Sequence, residues 1–266
     1  IKDKGKLTVG TDASYAPSEF LDTDGKTAIG FDIDLFNAVA AKLGLKVDWQ
    51  PASFDSIIGG VTSGKYDVGV SSFTVNTDRE KQVDMIGYFN AGTQWATAAG
   101  NPKGVDPSNA CGFNVAVQTA TVQDTDDLPA KLKACGDNPF KVVRYEKQDE
   151  ATAAVAAGKA DAMLADSPVV AYAVQQSGGK LESLGDIYDA APYGYTISKD
   201  NADLSAAIVK ALESLKADGG YDKALEAWGV AQGGISEFAI NPVKRALPHE
   251  FNLDAGPGFS RGRCSR

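Results

Sequence analysis

The sequence of 266 residues predicts an α/β protein of two similar lobes with mostly parallel sheets, joined by a two-segment hinge and enclosing a ligand cleft. Three observations predict it. Strand-like and helix-like segments alternate in a βαβαβ order, which favours a parallel sheet covered by helices. The same five-element order recurs in the second half of the chain. Both halves also leave their second helix through one junction, Gly64-Lys65-Tyr66-Asp67-Val68 in the first and Gly158-Lys159-Ala160-Asp161-Ala162 in the second.

Residues 6–10 read as a short strand, and a turn-rich stretch runs through 22–25. Residues 31–43 carry apolar side chains at 31, 35, 36, 39 and 43, the spacing of an amphipathic helix, and Gly44 is its C-terminal stop. Residues 45–49 alternate like a strand, 54–62 read as a helix and 66–70 as a third strand. In the second unit the segments are 114–117 (strand), 126–134 (helix), 140–143 (strand), 149–157 (helix) and 161–164 (strand). Ser72 and Asp166 each lie eight residues after the junction glycine, so they fall at matching strand tips. The junction alone is a common way to leave a helix and enter a strand; its weight comes from recurring at the same place. Residues 86–93 and 188–195 read as crossovers, and the helical patterns over 202–217 and 220–228 belong to neither unit. The division is therefore a first lobe of 1–91 and 191–241, a second lobe of 92–190, and a disordered tail or cloning remnant over 242–266.

Composition narrows the function. At 43% hydrophobic and 23% charged the chain has the make-up of a folded soluble protein, and no run approaches the ~18 to 20 apolar residues that would span a bilayer. A formal charge of −9 repels phosphate backbones, which excludes nucleic acid as a partner. His249, the only histidine, lies in the basic tail, so neither a Ser-His-Asp or Cys-His nucleophile nor a histidine zinc site can be built. No catalytic group, metal or cofactor is expected. Cys111 opens a strand-like segment and Cys135 ends the helix-like one that follows, which favours a short-range disulfide over two unpaired buried thiols. Such a bridge implies an oxidising, extracytoplasmic compartment. Cys264 is left odd in the tail, and the start at Ile1 reads as a processed form whose signal peptide has been removed.

Ligands of open α/β sheets bind beyond the carboxyl ends of the strands. There the first lobe places Thr11, Asp12, Tyr15, Phe54 and the run Ser71-Ser72-Phe73-Thr74-Val75-Asn76-Thr77-Asp78-Arg79, and the second places Gln118, Thr121, Val122 and Asp166. Arg79 suits a carboxylate and Asp166 an ammonium, the two groups that an α-amino acid carries on one carbon. The hydroxyls and backbone N–H groups of Ser72 and Thr74 would help Arg79 hold a dehydrated carboxylate. Taken singly, Arg79 would be a surface ion pair with Asp78, Glu80 or Asp84, and Asp166 an N-cap before Pro168. Their position at matching tips favours ligand contact.

The runs VGTDASYAPSEF (9–20), GFDIDLFNAVAAKLG (30–44), SSFTVNTDR (71–79) and GKADAMLADSP (158–168) together resemble the polar amino acid-binding proteins of ABC importers. The resemblance spans residues 1 to about 241. It implies a periplasmic-binding-protein type II fold that closes on its ligand as a monomer and hands it to a membrane permease, either free in the periplasm or as a lipoprotein anchored at the outer face of the cytoplasmic membrane. It makes Arg79 the carboxylate-binding arginine, with Ser72, Thr74 and Thr121 as supporting donors, and Asp166 the ammonium-binding aspartate. Tyr15 and Phe54 flank the ligand's side chain, and Asp12 with Asp32 faces a polar or cationic one. Ser18 stands where the family often has phenylalanine, and Ala120 where it often has glycine. With two acidic residues and no second cleft cation, glutamate and aspartate are disfavoured; Gln118 could bond an amide, so the expected ligand is glutamine or a basic amino acid. The competing readings are a cyclohexadienyl-type dehydratase on the same fold and a receptor's sensor domain.

Overall fold

The computed structural model describes residues 5–245. Expectations for His249, Cys264 and residues 246–266 lie outside them. The first unit runs β1 (Lys6–Thr11), α1 (Phe31–Lys42), β5 (Lys46–Pro51), α2 (Phe54–Thr62) and β6 (Val68–Gly69). Between β1 and α1 lies a small antiparallel sheet of β2 (Ser14–Tyr15), β3 (Glu19–Leu21) and β4 (Ala28–Ile29). The turn-rich stretch is the loop joining β3 to β4, closed by the Gly25 amide on the Asp22 carbonyl at 2.9 Å. Two- and three-residue strands are too short to show a period of two, which is why the sequence displays only their turn.

After α3 (Thr77–Gln82) and β7 (Asp84–Ala98), the second unit runs β8 (Asn114–Gln118), α4 (Leu128–Ala134), β9 (Lys141–Tyr145), α5 (Gln148–Ala156) and β10 (Ala162–Asp166). A single π-helical turn, Gln123–Asp127, leads into α4. The chain returns through α6 (Ser167–Gln176), β11 (Leu181–Ile197), α7 (Ala202–Ala217), α8 (Gly220–Ala227) and α9 (Pro242–Arg245).

All strands outside the small sheet join one sheet in the order β5-β1-β6-β11-β7-β10-β8-β9. The two ends of this order mirror each other. β1 lies between β5 and β6 and is parallel to both, as β8 is to β9 and β10. The third strand of each unit then pairs antiparallel with the middle of the sheet, β6 with β11 and β10 with β7. The segments expected as crossovers are the centres of β7 and β11, which pair as one long antiparallel ribbon with register shifts around Tyr188 and Ala191.

The repeated junction has a physical cause. Gly64 and Gly158 take φ of 77° and 71°, and the next amide closes on the carbonyl of Gly60 or Ala154 at 2.8 Å, a helix C-terminal motif that favours glycine. The aspartate two residues further on then accepts a backbone N–H of the central strand: Asp67 from Thr8 at 2.9 Å, Asp161 from Asn114 at 2.7 Å. Glycine turns the chain, and aspartate docks it.

Four apolar clusters follow the same division. One gathers Leu7, Phe31, Phe36, Tyr88, Tyr195 and Ile208 and another Phe54, Ile57, Phe73 and Met85, all from residues before 92 or after 190. The remaining two centre on Ala116, Val155 and Met163, with Tyr15 reaching in, and on Trp95, Val117 and Leu164. Cys111 and Cys135 form a disulfide with a Cα–Cα distance of 5.4 Å, tying the entry to β8 to the end of α4. The expectation of a tail from residue 242 is corrected at its start: Pro242–Arg245 forms a helical turn, because the Val243 amide finds the Glu80 carboxyl at 3.0 Å and its side chain packs beside Val83 and Met85. Among the described residues no helix is long and apolar enough to cross a membrane, and no cluster of His, Cys, Asp and Glu could hold a metal.

Candidate ligand-binding site

The carboxyl ends of β1, β6, β8 and β10 surround a small cavity lined by Asp12, Tyr15, Glu19, Phe54, Ser71, Ser72, Thr74, Arg79, Gln118, Thr121, Val122, Gln123 and Asp166. The expected residues Asp12, Tyr15, Phe54, Ser71, Ser72, Thr74, Arg79, Gln118, Thr121, Val122 and Asp166 are all in this wall. Glu19 and Gln123 join it without having been expected. Thr11 and Asp32 are buried but are not part of the wall.

Arg79 sits in α3, whose first turn is capped by Asn76 accepting the Arg79 N–H at 2.8 Å. Its guanidinium lies 5.5 Å and 5.4 Å from the stacked rings of Phe54 and Phe73, and it donates to the carbonyls of Thr74 (2.8 Å) and Ala120 (3.1 Å). It makes no ion pair with Asp78, Glu80 or Asp84. Burial lowers its pKa to about 10, so it stays cationic at neutral pH with N–H donors to spare.

Asp166 ends β10 at the N-cap of α6, yet its side chain does not cap that helix. One carboxylate oxygen accepts from the hydroxyls of Tyr15 (2.9 Å) and Tyr193 (2.8 Å), the other from the Gln123 amide (2.8 Å). Burial raises its pKa, partly offset by these bonds and by the Arg79 charge. Neutral donors and one distant cation do not fully compensate a buried carboxylate, which favours a cation close by.

Asp12 caps α2 from a distance. Ser53 leaves that helix uncapped, and Asp12 Oδ2 accepts the Phe54 amide at 3.1 Å together with Gln118 Nε2 at 2.9 Å. Burial raises its pKa too. Gln118 Oε1 is buried with no partner, an acceptor free for a ligand N–H. Four of these hydrogen bonds (Tyr15 to Asp166, Tyr193 to Asp166, Gln118 to Asp12, Arg79 to Ala120) join residues before 92 or after 190 to residues between them.

The arrangement is that of a binding protein, and sequence comparison bears on it directly. The family model for bacterial extracellular solute-binding proteins, family 3, matches residues 7–231. The chain belongs to this family. It is 39% identical over 244 residues to the arginine-binding protein ArgT of Corynebacterium glutamicum, covering 91% of this chain and 80% of that one. Its fold superposes with a TM-score of 0.78 on an ancestral arginine-binding protein bound to arginine, 36% identical, covering 85% of this chain and 98% of that one. A second ancestral amino acid-binding protein, described as a precursor of cyclohexadienyl dehydratase, matches at TM-score 0.78 and 34% identity, covering 86% and 97%.

In this family 3 protein Ser72 differs from the expectation that its donors serve Arg79. Its backbone N–H goes to Asp32 Oδ2 at 3.1 Å, and its hydroxyl lies 3.2 Å from both Asp32 Oδ2 and Glu19 Oε2. The cause is a φ of 49°, which turns the residue back towards α1. Thr74 reaches Arg79 through its carbonyl. Asp32, expected against the ligand's side chain, is held behind Glu19 by Ser72 and by the Tyr88 hydroxyl at 2.6 Å. Ala120, where glycine is often found, has φ of 65° and is held there by Asp124, which accepts its N–H at 3.0 Å and is itself paired with Arg144 at 2.7 Å. Glu19 and Gln123 were not legible because one lies in a three-residue strand and the other opens a π-turn. The lone signal for Glu19 was an acid inside an otherwise small and apolar run.

Proposed function

We infer that this protein captures a polar L-amino acid with a cationic side chain, arginine foremost, and delivers it to the membrane permease of an ABC importer. One observation carries the reading: Arg79 faces Asp166 across a closed cavity whose remaining charged wall groups, Asp12 and Glu19, are acidic. Arg79 takes the ligand carboxylate, Asp166 the α-ammonium, and the acidic end a guanidinium or ammonium. Glutamine fits the first two contacts and the free Gln118 acceptor but gains nothing from the acids, so it binds more weakly. That ArgT is an arginine-binding protein and that the ancestral structure holds arginine support a cationic ligand. The protein acts as a monomer, outside the cytoplasmic membrane and free or lipid-anchored, with lobes 1–91 plus 191–241 and 92–190 closing on the ligand. It is not an enzyme.

Thermal unfolding of protein stripped of ligand by unfolding and refolding, with each common amino acid in turn, tests this. A ligand at ~100 times its Kd adds about 2.7 kcal/mol, a shift of several degrees for a chain of this size. Arginine is expected to give the largest shift and glutamine a smaller one. A flat panel, or turnover of a cyclohexadienyl acid, overturns the reading in favour of the dehydratase.

A further inference from the structure

Glu19 and Asp32 are both fully buried carboxyls, and no lysine or arginine donates to either among the described residues. The other titratable groups whose fields reach them are Asp12, Tyr15, Tyr88, Tyr193 and Tyr195, acids or neutral phenols. Two adjacent carboxylates without a counter-ion do not both ionise in such a place. The hydrogen bonds agree. Ser71 donates to Glu19 Oε1 at 3.0 Å, while Asp32 Oδ2 receives the Tyr88 hydroxyl and the Ser72 amide. The Ser72 hydroxyl lies 3.2 Å from both carboxyls but has one hydrogen to give. Asp32 Oδ1 is buried and has no donor at all. A proton held between the two carboxyls removes their mutual repulsion and adds the donor that this cluster lacks.

We propose that Glu19 and Asp32 hold one proton between them in the ligand-free protein, and that a cationic amino acid side chain seated against Glu19 expels it. The proposal rests on the reading of the cavity as a site for a cationic amino acid. When the guanidinium arrives, the Glu19 O–H bond breaks, the proton passes to buffer, and the ligand's charge replaces it. A neutral amide side chain leaves the proton in place. Arginine affinity therefore rises with pH, and glutamine affinity does not. The pair acts as a charge filter at the acidic end of the site.

Isothermal titration calorimetry at neutral pH, in phosphate and in Tris, reads the proton directly from the difference in apparent enthalpy. Arginine is expected to release roughly one proton, the full stoichiometry of a shared pair, and glutamine close to none. In Glu19→Gln, whose amide has no proton to lose, the buffer dependence disappears. Binding of arginine with an enthalpy independent of buffer overturns proton expulsion and leaves the site reading intact. Failure of arginine to bind overturns the site reading and the expulsion with it. Infrared difference spectra of the ligand-free protein against Glu19→Gln and Asp32→Asn test the shared proton separately: a protonated-carboxyl stretch lost in both variants supports it, and its absence from the wild type overturns it.

Discussion

Asp12 has two tasks where the sequence suggests one. Its charge faces the acidic end of the cavity, and its Oδ2 also joins the N-terminus of α2 to Gln118 of the opposite unit. If the cavity takes a cationic ligand as proposed, replacement by alanine removes both a ligand contact and the Gln118–Asp12 link across the cavity. A hydrogen bond to a buried charge contributes ~1.5–3 kcal/mol, so Asp12→Ala should weaken glutamine about tenfold through the lost link and arginine by about a further tenfold through the lost charge. Titration of both ligands against both proteins checks this. Equal losses would mean that Asp12 acts only as scaffold. The place of Asp166 in the cavity wall was legible because matching spacing from a repeated glycine put it at a strand tip opposite Ser72, with Arg79 in the run that follows. The role of Ser72 was not, because its direction depends on a positive φ that serine does not advertise.

Among the elements, α1, α2, α5, α7 and α8 read well, whereas α3, α6 and the small sheet did not. α2 and α7 fall on the residues that apolar periodicity marks, whereas β2, β3 and β4 are too short for any period. Yet this sheet carries Tyr15 and Glu19 into the site, and one glycine sets its angle to α1. Gly30, the N-cap of α1, has φ of 133°, and a Cβ there would lie 2.1 Å from the Ser18 carbonyl oxygen, backbone that cannot move aside. That carbonyl also accepts the Asp32 amide at 2.9 Å, so Gly30 fixes both members of the acid pair at once. Gly158 also has positive φ, but nothing lies within 4 Å of an added Cβ. Gly158→Ala should cost about 1 kcal/mol, the left-handed penalty alone. Gly30→Ala should cost clearly more and weaken ligand binding as well, since either the hairpin or α1 must shift. Thermal unfolding of the two variants ranks them; comparable losses would show that the hairpin is free to move.

At the scale of the whole molecule, the two parallel halves share no strand other than the β7–β11 ribbon, and that ribbon is irregular where it passes between them. The register shifts around Tyr188 and Ala191 leave fewer ladder bonds to resist bending there, which is where a hinge is cheapest. Against this weak joint stand the bonds that link residues before 92 or after 190 to those between: Tyr15 and Tyr193 to Asp166, Gln118 to Asp12, Arg79 to Ala120 and, away from the cavity, the Gln148 amide to Ser14 at 3.2 Å. Several of them place partly compensated charges out of water, so closure without a ligand leaves Asp166 and the acidic end short of cation. A ligand that supplies those charges tips the balance, because an equilibrium moves only as far as the ligand's differential affinity for the two states. Small-angle scattering should therefore give a larger radius of gyration for the stripped protein than for the arginine-bound one, the bound value lying near the ~18 Å of a compact chain of this length. Tyr15→Phe removes the hydroxyl that bonds both the carboxylate and the backbone N–H of Asp166. It should need more arginine to reach the smaller radius while ending at the same value. Equal radii with and without arginine in the wild type would mean that the lobes stay closed and that the ligand enters by some path other than hinge opening.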